Sequence, residues 1–121
     1  MSKKLLITDD AMIIREMIKD AVSEDGWEIA GEATNGQEAI DRYEEIQPDA
    51  MTLDLVMPEF DGLHALRGIM EVDPEARVLV VSALDQKEIL KNALELGAKD
   101  FIVKPFQKER LVGALNKMTA S

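Results

Sequence analysis

The chain has 121 residues, 46% hydrophobic and 31% charged, which points to one domain over 1–121 with a single core and excludes a disordered chain. It has no cysteine, so disulfides, thiolate metal sites and thiol nucleophiles are ruled out. The net charge of −10 disfavours binding to nucleic-acid phosphates.

The elements alternate. "LLIT" (5–8) reads as a strand buried on both faces. A helix follows with Ile13, Ile14, Met17, Ile18, Ala21 and Val22 on one face, ending at Gly26. "WEIAGEA" (27–33) is half polar, as an edge strand would be. Asn35 and Glu38 have capping-box spacing, opening a helix through Ala39, Ile40, Tyr43 and Ile46 that stops before Pro48. "AMTLDL" (50–55) is the third strand; a loop around Pro58 and Gly62 leads to a helix through Leu63, Leu66, Ile69 and Met70, ended by Pro74. "VLVVSA" (78–83) is the most continuously apolar strand. Asp85 and Glu88 look like a second cap pair, before a helix with Ile89, Leu90, Ala93 and Leu94 buried and Gly97 past its end. "FIV" (101–103) is the last strand, and Leu111, Val112, Leu115 and Met118 line the closing helix.

Five βα units with apolar strands predict a doubly wound α/β fold, a flavodoxin-like parallel five-stranded sheet with helices on both faces. The order 2-1-3-4-5 leaves the polar second strand at an edge. Ligands of such folds bind beyond the carboxyl ends of the strands at the switch point, here between the first and third.

That rule selects Asp9 and Asp10, Asp54, Ser82 and Lys104, all at strand ends on one rim. Each alone has a plain explanation as a helix cap or a solvated side chain. Together they are harder to dismiss. Two carboxylates about 4 Å apart repel by roughly 4 kcal/mol at an effective dielectric near 20, so three ionised acids in one site call for a cation. Oxygen-only donors select Mg²⁺ or Mn²⁺ over zinc. A hydroxyl and a compact ammonium suit phosphate oxygens, so the set looks built for phosphoryl transfer. Asp54, apart from the Asp9–Asp10 pair, is the candidate carboxylate nucleophile.

The "DD" after the first strand, "DLVMPEFDG" (54–62), "VSA" (81–83) and "KPF" (104–106) resemble the receiver domain of two-component response regulators, over essentially the whole chain. Single-domain chemotaxis receivers are the nearest type. The resemblance implies that Asp54 accepts a phosphoryl group from a phosphohistidine on a sensor histidine kinase. It implies Mg²⁺ bound directly by Asp10, Asp54 and the Val56 carbonyl, with Asp9 acting through water. Lys104 and Ser82 would meet phosphoryl oxygens, the Lys104–Pro105 bond would be cis, as only about 5–6% of X–Pro bonds are, and Gly62 would supply a turn. Phe101 would be the aromatic switch that turns inward when Ser82 moves. It lacks the hydroxyl of the tyrosine often found there; the alternative is a fixed core ring. On this reading the protein is a phosphoacceptor that assists its own reactions rather than an enzyme with a separate substrate.

Val56 and Leu84 are apolar where some relatives carry polar side chains, so they offer nothing to orient an attacking water, and a long-lived phosphoryl group is expected. His64 reads as a solvated histidine rather than a phosphoryl carrier, and Trp27 as packing. A haloacid-dehalogenase-like hydrolase would need a second aspartate where Val56 stands. A flavodoxin-type cofactor binder would not place two acids after its first strand. A degenerate receiver would have lost one of the five rim residues.

Residues 1–81 carry 7 basic and 19 acidic side chains, and residues 82–121 carry 7 and 5. The basic residues either dress the last helices or mark a docking surface, and 86–119 matches the family's output surface. With the closing helix at the end of the chain, output is expected by docking, most simply to a flagellar motor switch. The alternatives are a phosphorelay passing phosphate to a histidine phosphotransfer protein, or a receiver excised from a longer regulator. A phosphatase partner, a monomeric state and a cytoplasmic location complete the expectation; no apolar run is long enough to span a bilayer and no signal-peptide pattern opens the chain.

Overall fold

Strands and helices alternate as the sequence predicts: β1 (Lys3–Thr8), α1 (Met12–Val22), β2 (Trp27–Ala33), α2 (Gly36–Ile46), β3 (Ala50–Leu53), α3 (Gly62–Val72), β4 (Val78–Ser82), α4 (Lys87–Leu96), β5 (Asp100–Val103) and α5 (Lys108–Met118). The computed structural model describes residues 3–57, 62–83 and 87–120. All strand pairings are parallel and the order is β2-β1-β3-β4-β5. The expected α/β topology is therefore found, with β1 and β3 adjacent where the chain changes direction across the sheet.

Side chains alternate between the faces of a strand, and the sheet divides its core accordingly. Leu5, Ile7, Ala50, Leu79, Val81 and Ile102 pack with Ile18 and Val22 of α1 and Leu111 and Leu115 of α5. Leu6, Met51, Leu53, Val78 and Val80 pack on the other face with Tyr43 of α2, Leu66 and Ile69 of α3 and Leu90 of α4. Every residue of β4 is buried, whereas β2 is mostly half-exposed, as an edge strand should be. One irregularity breaks the β1–β2 ladder. Leu5 pairs with Ile29 but Leu6 with Gly31, so Ala30 is an extra residue in β2.

Some expectations need correcting. Ile13 and Met17 are 68% and 40% exposed rather than buried. At about 100° per residue, the inward stripe of Ile14, Ile18, Ala21 and Val22 leaves Ile13 well outside and Met17 at its margin. Leu94 is likewise exposed and lines a groove over β5. The helix expected to reach Gly26 ends at Val22, and Gly26 takes a φ of 81° in the following turn. Asn35 caps α2 through a hydrogen bond from the Glu38 amide to its Oδ1 (2.9 Å), but the Glu38 carboxylate reaches back to the Thr34 amide (2.7 Å), one residue before the cap. Asp85, Pro58 and Leu84 lie outside the described residues.

Trp27 is packing, as read. Its ring is buried, Nε1 donates to Asn116 Oδ1 (3.2 Å), and the Lys3 ammonium sits over it.

Candidate functional site

The alternation that sorts the core also aims the rim. Leu5 and Ile7 lead to Asp9, Ala50 and Thr52 lead to Asp54, and Ile102 leads to Lys104, each two residues on along the α1/α5 face. The three groups meet. Lys104 Nζ is 2.7 Å from Asp9 Oδ2 and 3.1 Å from Asp54 Oδ2. Ser82, which follows Val78 and Val80 on the opposite face, comes to the same acid from the other side and donates to Asp54 Oδ1 at 3.3 Å. The Val56 amide donates to that oxygen at 3.1 Å, folding the β3–α3 connection over the carboxylate.

Asp9 and Asp10 separate in role. Asp9 is 1% exposed, with Oδ1 accepting from the Ala11 amide (2.9 Å) and Oδ2 from Lys104. Asp10 is exposed and makes no hydrogen bond or ion pair among the described residues. Their repulsion is therefore relieved in part by Lys104, which the resemblance had placed on a phosphoryl oxygen alone. Burial pushes the Asp9 carboxyl above its usual range, against the pull of the hydrogen bonds from Lys104 and Ala11. Burial also opposes the charge on Lys104, but the hydrogen bond to Asp9 and the charge of Asp54 outweigh it and hold the ammonium above an ordinary lysine. In this pair the carboxylate is the enclosed partner and the ammonium keeps some contact with solvent.

Carboxylate oxygens of Asp9, Asp10 and Asp54 all lie within 4.8 Å of one another. Against this set stands one lysine, which leaves an excess of negative charge facing an exposed carboxylate. An all-oxygen donor set with one open side fits a hard divalent cation of the Mg²⁺ or Mn²⁺ kind, which keeps waters.

Gly62 is required, but by close approach rather than by a turn. A Cβ there would collide with the Asp54 carbonyl and the Leu55 Cα, and the Gly62 amide donates to the Leu55 carbonyl at 3.2 Å. The Lys104–Pro105 peptide is cis, as expected. Phe101 is half-buried between the α4 and α5 sides and borders grooves on both. It pairs with Val80, two residues below the Ser82–Val103 pair. His64 is half-buried on the first turn of α3, not simply solvated.

Arg15 escaped the sequence reading. Its guanidinium donates to the Asp9 backbone carbonyl (2.6 Å) and to Glu32 Oε1 on β2 (2.8 Å). The available signal was a charged residue beside an inward stripe, opposite a glutamate in a short strand.

These features define a class. The response regulator receiver domain family matches residues 5–116, and the chain belongs to that family. It is similar over nearly its whole length to chemotaxis proteins CheY. That of Thermotoga maritima is 50% identical over 119 residues, 98% of this chain and 99% of the relative. That of Bacillus subtilis is 46% identical over 117 residues, 97% and 98% of the two chains. Among solved structures, a chain in the crystal structure of the CheX–CheY–BeF₃–Mg²⁺ complex from Borrelia burgdorferi superposes with a TM-score of 0.93 at 33% identity, covering 98% of this chain and 90% of that one.

Proposed function

We propose that this receiver is a chemotaxis switch that takes a phosphoryl group on Asp54 and thereby changes its affinity for a protein partner. The observation that carries the reading is Asp54 itself, a buried strand-end carboxylate held by a hydroxyl, a backbone amide and an ammonium, with two further acids alongside. In the transfer, an Asp54 oxygen attacks phosphorus, the P–N bond of the donor phosphohistidine breaks, and its electron pair returns to the imidazole. Asp10, Asp54 and the Val56 carbonyl would hold Mg²⁺ directly and Asp9 through water. The bound ion supplies positive charge to the phosphoryl oxygens as negative charge redistributes. Lys104 moves from spanning two carboxylates to neutralising a phosphoryl oxygen, and the Ser82 hydroxyl turns to another. The protein acts as an acceptor that assists its own reactions.

Phe101 is the element that would relay this to the surface at 86–119. There Lys87, Leu90, Lys91, Leu94, Phe101 and Val103 line an apolar groove of 510 Å³. The similarity to CheY proteins over the whole chain supports a sensor kinase as donor and a flagellar motor switch as partner. A similar chain found in complex with CheX supports a phosphatase partner. Val56, 54% exposed beside Asp54, orients no attacking water, so the phosphoryl group should be long-lived in the isolated protein.

Intact mass after incubation with acetyl phosphate tests the core of this reading. One phosphoryl adduct is expected that needs both Mg²⁺ and Asp54 and is absent in Asp54→Asn. An unmodified mass, even with a phosphohistidine donor present, would leave the rim as a binding or structural device.

A further inference from the structure

The three acids of the rim are anchored unequally. Asp54 has Ser82, Val56 and Lys104, and Asp9 has Ala11 and Lys104, but the exposed Asp10 carboxylate has no partner among the described residues. What fixes Asp10 must therefore act through its backbone. The peptide joining Asp9 to Asp10 presents one carbonyl, that of Asp9, and Arg15 donates to it at 2.6 Å. Arg15 is itself held. Its Nε donates to Glu32 Oε1 at 2.8 Å, and the second Glu32 oxygen is 2.7 Å from Lys19 Nζ. With its side chain 13% exposed, the guanidinium is wedged between α1, the end of β1 and β2.

We propose that Arg15 is a positioning residue for divalent-cation binding, clamping the Asp9–Asp10 peptide so that the Asp10 carboxylate is aimed at Asp54. The inference rests on reading the rim as a divalent-cation site. The guanidinium suits the task because its rigid fork reaches a carbonyl with one nitrogen and a carboxylate with another, which a lysine ammonium on a flexible stem does not reproduce. Its positive charge so near three acids would by itself weaken cation binding. Glu32 offsets that charge, so that the geometric contribution remains.

The sign of the effect separates positioning from charge. If Arg15 acted only by through-space repulsion, Arg15→Gln would bind Mg²⁺ more tightly and Arg15→Lys would bind it equally. Positioning predicts the reverse: both variants bind about tenfold more weakly, as expected when an outer-shell partner of a metal site is lost. The experiment is a Mg²⁺ titration of the unphosphorylated 121-residue protein, wild type and both variants, followed by amide NMR. The Asp10 amide belongs to the clamped peptide, so its ¹⁵N resonance should shift in both variants before any Mg²⁺ is added. With acetyl phosphate, the Mg²⁺ concentration for half-maximal rate should rise while the rate at saturating Mg²⁺ holds. Arg15→Lys keeps the charge and covers the case in which Arg15→Gln fails to fold.

Weaker binding in both variants with a displaced Asp10 resonance supports the clamp. Unchanged binding in Arg15→Lys, or tighter binding in Arg15→Gln, overturns it while leaving the cation site intact. A wild-type protein that shows no saturable Mg²⁺ response overturns the cation reading and the clamp together.

Discussion

The acidic rim and the apolar groove beside α4 meet along β5 and are held by opposite physics. At the rim, Asp9, Asp54 and Lys104 are locked by charge and short hydrogen bonds. In the groove, Leu90, Leu94, Phe101 and Val103 meet by aliphatic and aromatic contact, with Lys87 and Lys91 alongside. The first kind of order responds to any change of charge; the second responds to shape. Because Ser82 pairs with Val103 and Val80 with Phe101, the groove's aromatic ring lies one strand across and two residues along from a rim hydroxyl. A charge arriving at Asp54 thus has a short route to becoming a change of shape.

This contrast can be pressed. Lys104→Met should have the largest effect, about 3 kcal/mol at neutral pH, because two buried carboxylates lose their cation. The loss should shrink in acid, where Asp9, already raised, takes up a proton; urea melts at neutral pH and near pH 4 would show it, and equal losses would mean that charge does not hold the rim. Leu90→Ala in the groove should cost about 2–3 kcal/mol, by the same melts, at both pH values alike; a strong pH dependence there would blur the distinction. Asp9→Asn should have the opposite sign. With the Asp9 carboxyl raised above 3.8 in the fold, its ionised form is penalised. The penalty is absent in strong acid, builds as pH rises through the folded value, and is complete at neutral pH. The variant should therefore gain stability over wild type as pH rises, by less than either loss above. Glu32→Gln should be the mildest, about 0.5 kcal/mol, because its carboxylate keeps contact with solvent. Lys19 first, and Arg15 after it, hold the Glu32 carboxyl below 4.5, so its contribution is present above that value and fades as pH falls through the folded one.

Much of the architecture was readable because it is local. Apolar runs and caps repeat every βα unit, and the strand-end rule then picked out Asp9, Asp10, Asp54, Ser82 and Lys104 with no distance known. The failures are the places where non-local geometry decides. Whether Ile13 or Ile14 faces inward depends on how α1 is rotated on the sheet, and both are isoleucine. Gly62 resembles a turn glycine in sequence, yet its constraint is the backbone of Asp54 and Leu55 pressed against it. The sequence offers no sign that Lys104 also spans two buried carboxylates, because that contact joins β1, β3 and β5. Arg15 could not be placed without knowing which way Glu32 points.

That direction depends on Ala30. In an unbroken ladder, residues 29, 31 and 33 of β2 would share one side and Glu32 would fall on the other with residue 30. The extra residue resets the count. Ile29 packs with the α1/α5 core, Ala33 with the opposite one, and Glu32, three residues after Ile29 instead of two, reaches α1. Odd and even trade places within a single strand. Straightening the bulge, with Ala30 paired to Leu6, would keep the same sequence yet turn its glutamate toward α2 and take from Arg15 the acid that holds it.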